Sequence, residues 1–124
     1  MSNTFVWVDI PVVNLDRAIT FYSAVVGQPV SKVGGPGFSF GLFKHGGNDV
    51  GGCLIDAEEE GLEPSMTGPL VYLDASGRLD AAVAAAEQGG GKVLMAKHSI
   101  APNGFRAIIV DSEGNRVALH SMTA

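Results

Sequence analysis

The feature that most constrains this 124-residue chain is that it repeats itself. Displacing the sequence by 67 residues lays Gly37-Phe38 on Gly104-Phe105, Leu42-Phe43 on Ile109-Val110, Gly47-Asn48 on Gly114-Asn115 and Val50 on Val117. A displacement of 62 lays Gly27 on Gly89 and the first apolar strand on Pro69 to Leu73. Several coincidences at one offset mark a duplicated module. A half of about 60 residues would leave one face of its sheet exposed if it stood alone, whereas two such sheets can cover each other.

Both halves read as β-α-β-β-β. In the first, Val6, Val8 and Ile10 alternate with Phe5, Trp7 and Asp9 in a strand that Pro11 ends or edges. Asn14 caps a helix running to about Val26, with Ala18, Ile19, Tyr22, Val25 and Val26 on its apolar stripe and Gly27 as terminator. Strands follow at Pro29 to Val33, Phe38 to Phe43 and about Val50 to Ile55. In the second half Pro69 to Leu73 is a strand, Ser76 or Gly77 opens a helix that ends near Gly89, and Lys92 to Met95, Phe105 to Val110 and Arg116 to Met122 are strands. The expected class is α+β, with two tandem βαβββ modules whose mixed sheets curve around a central cavity. One domain spans residues 1–124, with modules at 4–56 and 69–122 and a polar linker at 57–68 whose Glu58-Glu59-Glu60 is a solvated face.

Composition narrows the partners. Eight Lys and Arg against 13 Asp and Glu give a net charge of −5, which disfavours nucleic acid and mildly favours cationic ligands. The glycine clusters lack the strand-to-helix context of a nucleotide-binding loop, and no cofactor is expected. The start of the sequence lacks a basic segment followed by an apolar core, and no apolar run approaches membrane-spanning length. Cys53 is the one cysteine, which suits a reducing cytoplasm, the expected location.

The Ile10-Pro11-Val12 of the entry strand, Asp16-Arg17-Ala18 and Phe21-Tyr22 ahead of Gly27, and the closing Asp111-Ser112-Glu113-Gly114-Asn115 resemble the vicinal oxygen chelate superfamily. That superfamily includes glyoxalase I, extradiol dioxygenases, bleomycin resistance proteins and fosfomycin-modifying enzymes, and the resemblance covers nearly the whole chain. It implies a cavity between paired modules, commonly in a homodimer, and in catalytic members a divalent metal held by His and Glu residues, two from each module. Aligned on those motifs, the four ligand positions fall on Trp7, Gly51, Pro69 and Ala118, none of which ligates a metal through its side chain. No metal is therefore expected at that position.

Strand parity indicates what stands there instead. With Trp7 facing the cavity, Phe5 and Asp9 follow; with Ala118, Arg116 and His120; with Gly51, Cys53; with Pro69, Val71. Phe5, Trp7, Cys53, Val71 and Arg116 are the candidate ligand-binding residues. Trp7 with Phe5, Phe38 and Phe105 makes either an aromatic wall or ordinary core. Asp9 and His120 are the candidate catalytic residues, as an acid/base pair or, with Cys53, as a displaced metal site; the alternative is that each is satisfied by hydrogen bonds of its own. His98 falls in a loop able to fold over the cavity mouth, His45 in an exposed hairpin, and Tyr22 is structural. The function expected is that of a glyoxalase/bleomycin-resistance-like protein lacking the usual metal ligands and binding a small organic molecule. The alternative is a lyase, isomerase or dioxygenase-type enzyme.

Overall fold

A computed structural model describes residues 3–124. The first module runs β1 (Trp7–Val12), α1 (Leu15–Val26), β2 (Ser31–Gly35), β3 (Phe38–Leu42) and β4 (Gly51–Asp56). A short helix α2 (Ala57–Glu60) opens the linker, and the second module runs β5 (Val71–Asp74), α3 (Leu79–Gln88), β6 (Lys92–Ser99), β7 (Phe105–Val110) and β8 (Arg116–Ser121). The sheets have the same topology, β1-β4-β3-β2 and β5-β8-β7-β6, each with one parallel pair (β1 with β4, β5 with β8) and otherwise antiparallel neighbours. The architecture is α+β with two βαβββ modules. No helix among the described residues is long and apolar enough to cross a membrane.

Several element boundaries differ by a few residues from those expected, and a short helix stands at the start of the expected polar linker. Pro11 edges β1 rather than ending it, because a residue without an N–H is tolerated on an edge strand. The helix expected from Ser76 or Gly77 begins at Leu79, because the Ser76 N–H and hydroxyl both donate to Asp74 Oδ1 and close a turn first. β6 runs on to Ser99 past two register shifts, so His98 lies on a strand rather than in the loop.

α1 starts with the Asn14 side chain accepting from the Arg17 N–H at 3.0 Å and stops at Gly27 in the left-handed region. Its buried stripe is Ala18, Phe21, Tyr22 and Val25. α1 packs on β3 and β4, α3 packs on β6, β7 and β8, and the two helices pack on each other. Ala82 and Ala86, both fully buried on α3, keep the facing surface small enough for that close approach. One continuous core therefore joins Ile10, Val12, Phe21, Tyr22 and Leu54 of the first module to Leu79, Ile109, Val117 and Leu119 of the second. Because the helices lie between the sheets, the other face of each sheet is turned outward.

The two motifs around Arg17 and Glu113 lock this arrangement. Glu113, at the β7–β8 turn, accepts from the Val13 and Asn14 N–H groups at 3.0 and 2.8 Å and from Arg17 Nε at 2.7 Å. Burial would raise the Glu113 carboxyl, but the Arg17, Asn14 and Ser112 hydrogen bonds outweigh it and hold the pKa down to about 2. The Tyr22 hydroxyl donates to Asp111 Oδ2 at 2.5 Å, and Asn115 Nδ2 donates to the Pro11 carbonyl at 2.7 Å. Residues of one module thus satisfy buried polar groups of the other.

Candidate functional site

The outward face of each sheet is built from matching cross-strand rows. On the first sheet Trp7 stands opposite Gly51, and one row on, Asp9, Cys53, Leu42 and Ser31 run across all four strands. On the second sheet Tyr72, Ala118, Ile108 and Met95 form one row, and Asp74, His120, Arg106 and His98 the next. The equivalent of Trp7 is thus Tyr72 rather than Pro69, which lies before β5 begins. This register also moves Val71: it sits opposite Val117, on the helix side, while Tyr72 and Asp74 take the outward face. Val71 instead borders a cavity of about 380 Å³ between the modules, together with Val8, Ile10, Val30, Phe43 and Leu73.

The first face is aromatic and internally bonded. Trp7 Nε1–H donates to Asp9 Oδ1 at 2.9 Å, and the Cys53 thiol reaches the same oxygen at 3.3 Å. Burial, reinforced by that contact with the Asp9 carboxylate, pushes the Cys53 thiol up to about 11. The Trp7 indole meets the His45 ring edge-on, with centroids 5.7 Å apart. The two rings fill the space in front of Gly51: a Cβ there would lie 2.7 Å from Trp7 Cζ3 and 2.8 Å from His45 Nε2. A groove of about 220 Å³ crosses this face between Trp7, Phe38, Phe40, Cys53, Ile55 and the acidic rim of Glu59 and Glu60. Phe5 precedes the strand and is 77% exposed, and Phe105, on β7, packs partly against the core, so the aromatic wall consists of Trp7, Phe38 and Phe40.

The second face is polar. His98 Nδ1–H donates to the Ala96 carbonyl at 2.8 Å, which leaves Nε2 to accept from Arg106 Nε–H at 3.0 Å. Arg106 Nη1 donates to the Tyr72 hydroxyl, and its guanidinium carbon lies 6.0 Å from the Tyr72 ring centre. His120 Nε2 donates to the Asn103 carbonyl at 2.6 Å, with the Tyr72 ring 6.3 Å away. Ser76 hydrogen bonds to Asp74, aided by the nearby His120, hold the Asp74 carboxyl below its ordinary range. Arg116 shares this face but lies four residues along β8 from His120, about 13 Å at strand spacing.

Within the chain Asp9 and His120 do not meet: they lie on different sheets, Asp9 bonded to Trp7 and Cys53, His120 to Asn103. Within one chain the helix layer separates the two outward faces, so an Asp9–His120 pair would require a second copy. Among the described residues no three His, Cys, Asp or Glu side chains converge as a metal site. Tyr72, Arg106 and His98 were missed as a group in the sequence, although a hairpin turning at Asp111 to Asn115 pairs 106 with 120 by register alone.

The model of the glyoxalase/bleomycin resistance protein/dioxygenase superfamily matches residues 4–119. Among solved structures, a glyoxalase/bleomycin resistance protein from Albidiferax ferrireducens is 18% identical with a TM-score of 0.76, over 96% of this chain and 98% of that one. A family enzyme from Burkholderia phytofirmans is 18% identical with a TM-score of 0.70, over 94% and 96% of the two chains. A glyoxalase-related enzyme from Fulvimarina pelagi is 12% identical with a TM-score of 0.67, over 96% and 88%. At these identities the likeness is one of fold. No curated protein matches the chain.

Proposed function

The chain belongs to the glyoxalase/bleomycin resistance protein/dioxygenase superfamily, and on that footing we propose that it binds a small organic molecule without a metal at the family's usual position. The binding cavity forms between two copies: the aromatic face of the first sheet of one copy covers the polar face of the second sheet of the other. The observation that carries this reading is that the two faces are complementary and lie on opposite sides of a shared helix layer. One carries Trp7, Phe38 and Phe40 with an acidic rim, and the other carries Arg106, His98 and His120. A two-fold axis repeats the contact and closes the assembly as a homodimer.

The residues at the expected ligand positions do not fit a metal. Trp7, Gly51, Tyr72 and Ala118 supply neither imidazole nor carboxylate, and the Trp7 and His45 rings occupy the space a side chain at position 51 would enter. What these residues offer is an apolar surface with a few directed polar groups, the usual make-up of a small-molecule site.

Metal analysis and light scattering of untagged protein test the two parts. The expected mass is twice the 12.8 kDa of one chain, with substoichiometric divalent metal. A monomer at all concentrations overturns the shared cavity; one tightly held metal per chain, lost in Asp9→Ala or His120→Ala, overturns the metal-free reading. A thermal-shift screen of small metabolites then identifies ligands, because a molecule that binds only the folded state raises its melting temperature by mass action.

His120 supports a second reading, an enzyme of lyase or isomerase type. With Nε2 held by Asn103, its Nδ1 has no partner among the described residues, and the proposed dimer sets Asp9 of the second copy against the face that carries it. Turnover lost in His120→Ala with ligand affinity retained supports catalysis; unchanged turnover removes His120 from that role.

A further inference from the structure

We propose that Arg106 is the anion-binding group of this site and that the ligand carries a carboxylate. The inference rests on the small-molecule reading above and supplies its ligand class. It runs against the net charge of −5, which by itself favours cations.

The Arg106 guanidinium carries more N–H donors than the protein engages. Both protein contacts of the partly buried Arg106 guanidinium go to neutral acceptors, His98 Nε2 and the Tyr72 hydroxyl. The ion pairs among the described residues are Arg17 with Glu113, Lys32 with Asp16 and Lys97 with Asp80, so Arg106 has no carboxylate. A guanidinium has five N–H groups, and these two bonds leave three without a protein partner. A cation drawn partly out of water without a counter-charge is costly unless something pairs with it.

Its orientation is fixed. His98 is tethered through Nδ1 to Ala96, so its Nε2 lone pair holds the Nε side of the guanidinium, and Tyr72 holds one hydrogen of Nη1. The three N–H groups left over, one on Nη1 and two on Nη2, can pair with the two oxygens of a carboxylate. The Tyr72 hydroxyl, which accepts from Arg106, keeps its own proton to donate to the same anion. Asp74, the one carboxylate in the row, has Oδ1 engaged by the Ser76 N–H and hydroxyl. A dianionic phosphate would meet Asp74 with only a single guanidinium to balance it, whereas Ile108 and Met95 in the next row suit the apolar body of an organic acid.

The test is titration of the full chain, by calorimetry or NMR, with benzoate, its neutral isostere benzamide, and inorganic phosphate. Benzoate is expected to bind at least about 10-fold more tightly than benzamide, the scale of one charge-assisted contact. Arg106→Gln should remove that preference, bringing benzoate and benzamide affinities to within about 2-fold of each other. Tyr72→Phe, which keeps the ring, should weaken benzoate by a smaller factor. Should Arg106→Gln fail to fold by circular dichroism, Arg106→Lys, which keeps the charge but loses the two-pronged edge, is expected to weaken benzoate several-fold. No benzoate binding, equal affinity for benzoate and benzamide, tighter binding of phosphate, or a folded Arg106 variant that binds benzoate like wild type each overturns the proposal. A monomer whose benzoate binding depends on Arg106 keeps the anion site and discards the shared cavity. A dimer that binds neutral ligands independently of Arg106 keeps the cavity and discards the anion site.

Discussion

The two outward faces share a backbone and differ in chemistry. Trp7 and Gly51 correspond to Tyr72 and Ala118, and Asp9 and Cys53 to Asp74 and His120, row for row. Each module even keeps a carboxylate at the same place on its first strand. Yet Asp9 is engaged by an indole and a thiol, and Asp74 by a serine beside a histidine. The helix-facing sides show no such freedom, because they share one core and each is locked to the other. Duplication gave two equivalent platforms, and only the side chains that do not pack under a helix were free to take on different roles.

The largest effect expected from a single substitution breaks the equivalence where it looks strongest. Gly37 and Gly104 correspond under the 67-residue displacement, and both have positive φ, +81° and +92°. A Cβ at Gly104 would lie 2.4 Å from the Ser121 carbonyl oxygen, while at Gly37 nothing lies within 4 Å. Gly104→Ala should therefore lose about 3 kcal/mol or more in urea unfolding, and Gly37→Ala only about 1 kcal/mol, the conformational part alone. Equal losses would show that the crowding at Gly104 relaxes freely.

Next in size is the Arg17–Glu113 clamp. Glu113→Gln should cost about 2 kcal/mol at neutral pH, since it removes a charge that four backbone and side-chain N–H donors of the other module share. The Glu113 carboxyl titrates near 2 in the folded chain against an ordinary 4.5. The unfolded chain thus takes up the proton first, so this contribution is complete above pH 4.5 and disappears as pH falls from there toward 2. Chemical denaturation between pH 6 and pH 2.5 should show that acid slope in wild type and a shallower one in the variant, while substitutions of uncharged residues on the outward faces leave the slope unchanged.

This clamp also accounts for what could be read from the sequence. The motifs that carried the family resemblance, Asp16-Arg17-Ala18, Phe21-Tyr22 and Asp111 to Asn115, turn out to be the contacts that join the modules. They report the fold and are silent about the ligand. Element order, the parity of Trp7, Asp9 and Cys53, and that of Ala118 and His120 follow from alternation within a strand. The phase between modules does not: Tyr72 is displaced by 65 from Trp7 while Ala118 is displaced by 67 from Gly51, so an alignment anchored on Pro69 put Val71 on the wrong face. Arg106 was hidden by the apolar run Ala107 to Val110 that follows it, and His98 by the register shifts that let β6 extend. Which way the sheets face was beyond reach, since it depends on the helices packing against each other rather than on any local pattern.

The smallest effect concerns rate rather than stability, and it sharpens the contrast between Cys53 and its counterpart His120. With the thiol at about 11 against an ordinary 9.0, the thiolate fraction at pH 8 falls about 100-fold, and thiolate is the species that alkylates. Iodoacetamide should therefore modify Cys53 in the folded chain about 100-fold more slowly than in urea, with burial slowing it further. Burial is the first cause of the shift and the Asp9 contact the second, so Asp9→Asn should recover only part of the rate, less than about 10-fold. Full recovery in that variant would reverse the order of causes and make the first face electrostatically controlled. Partial recovery leaves it a shielded apolar wall, with the polar chemistry concentrated on the second sheet.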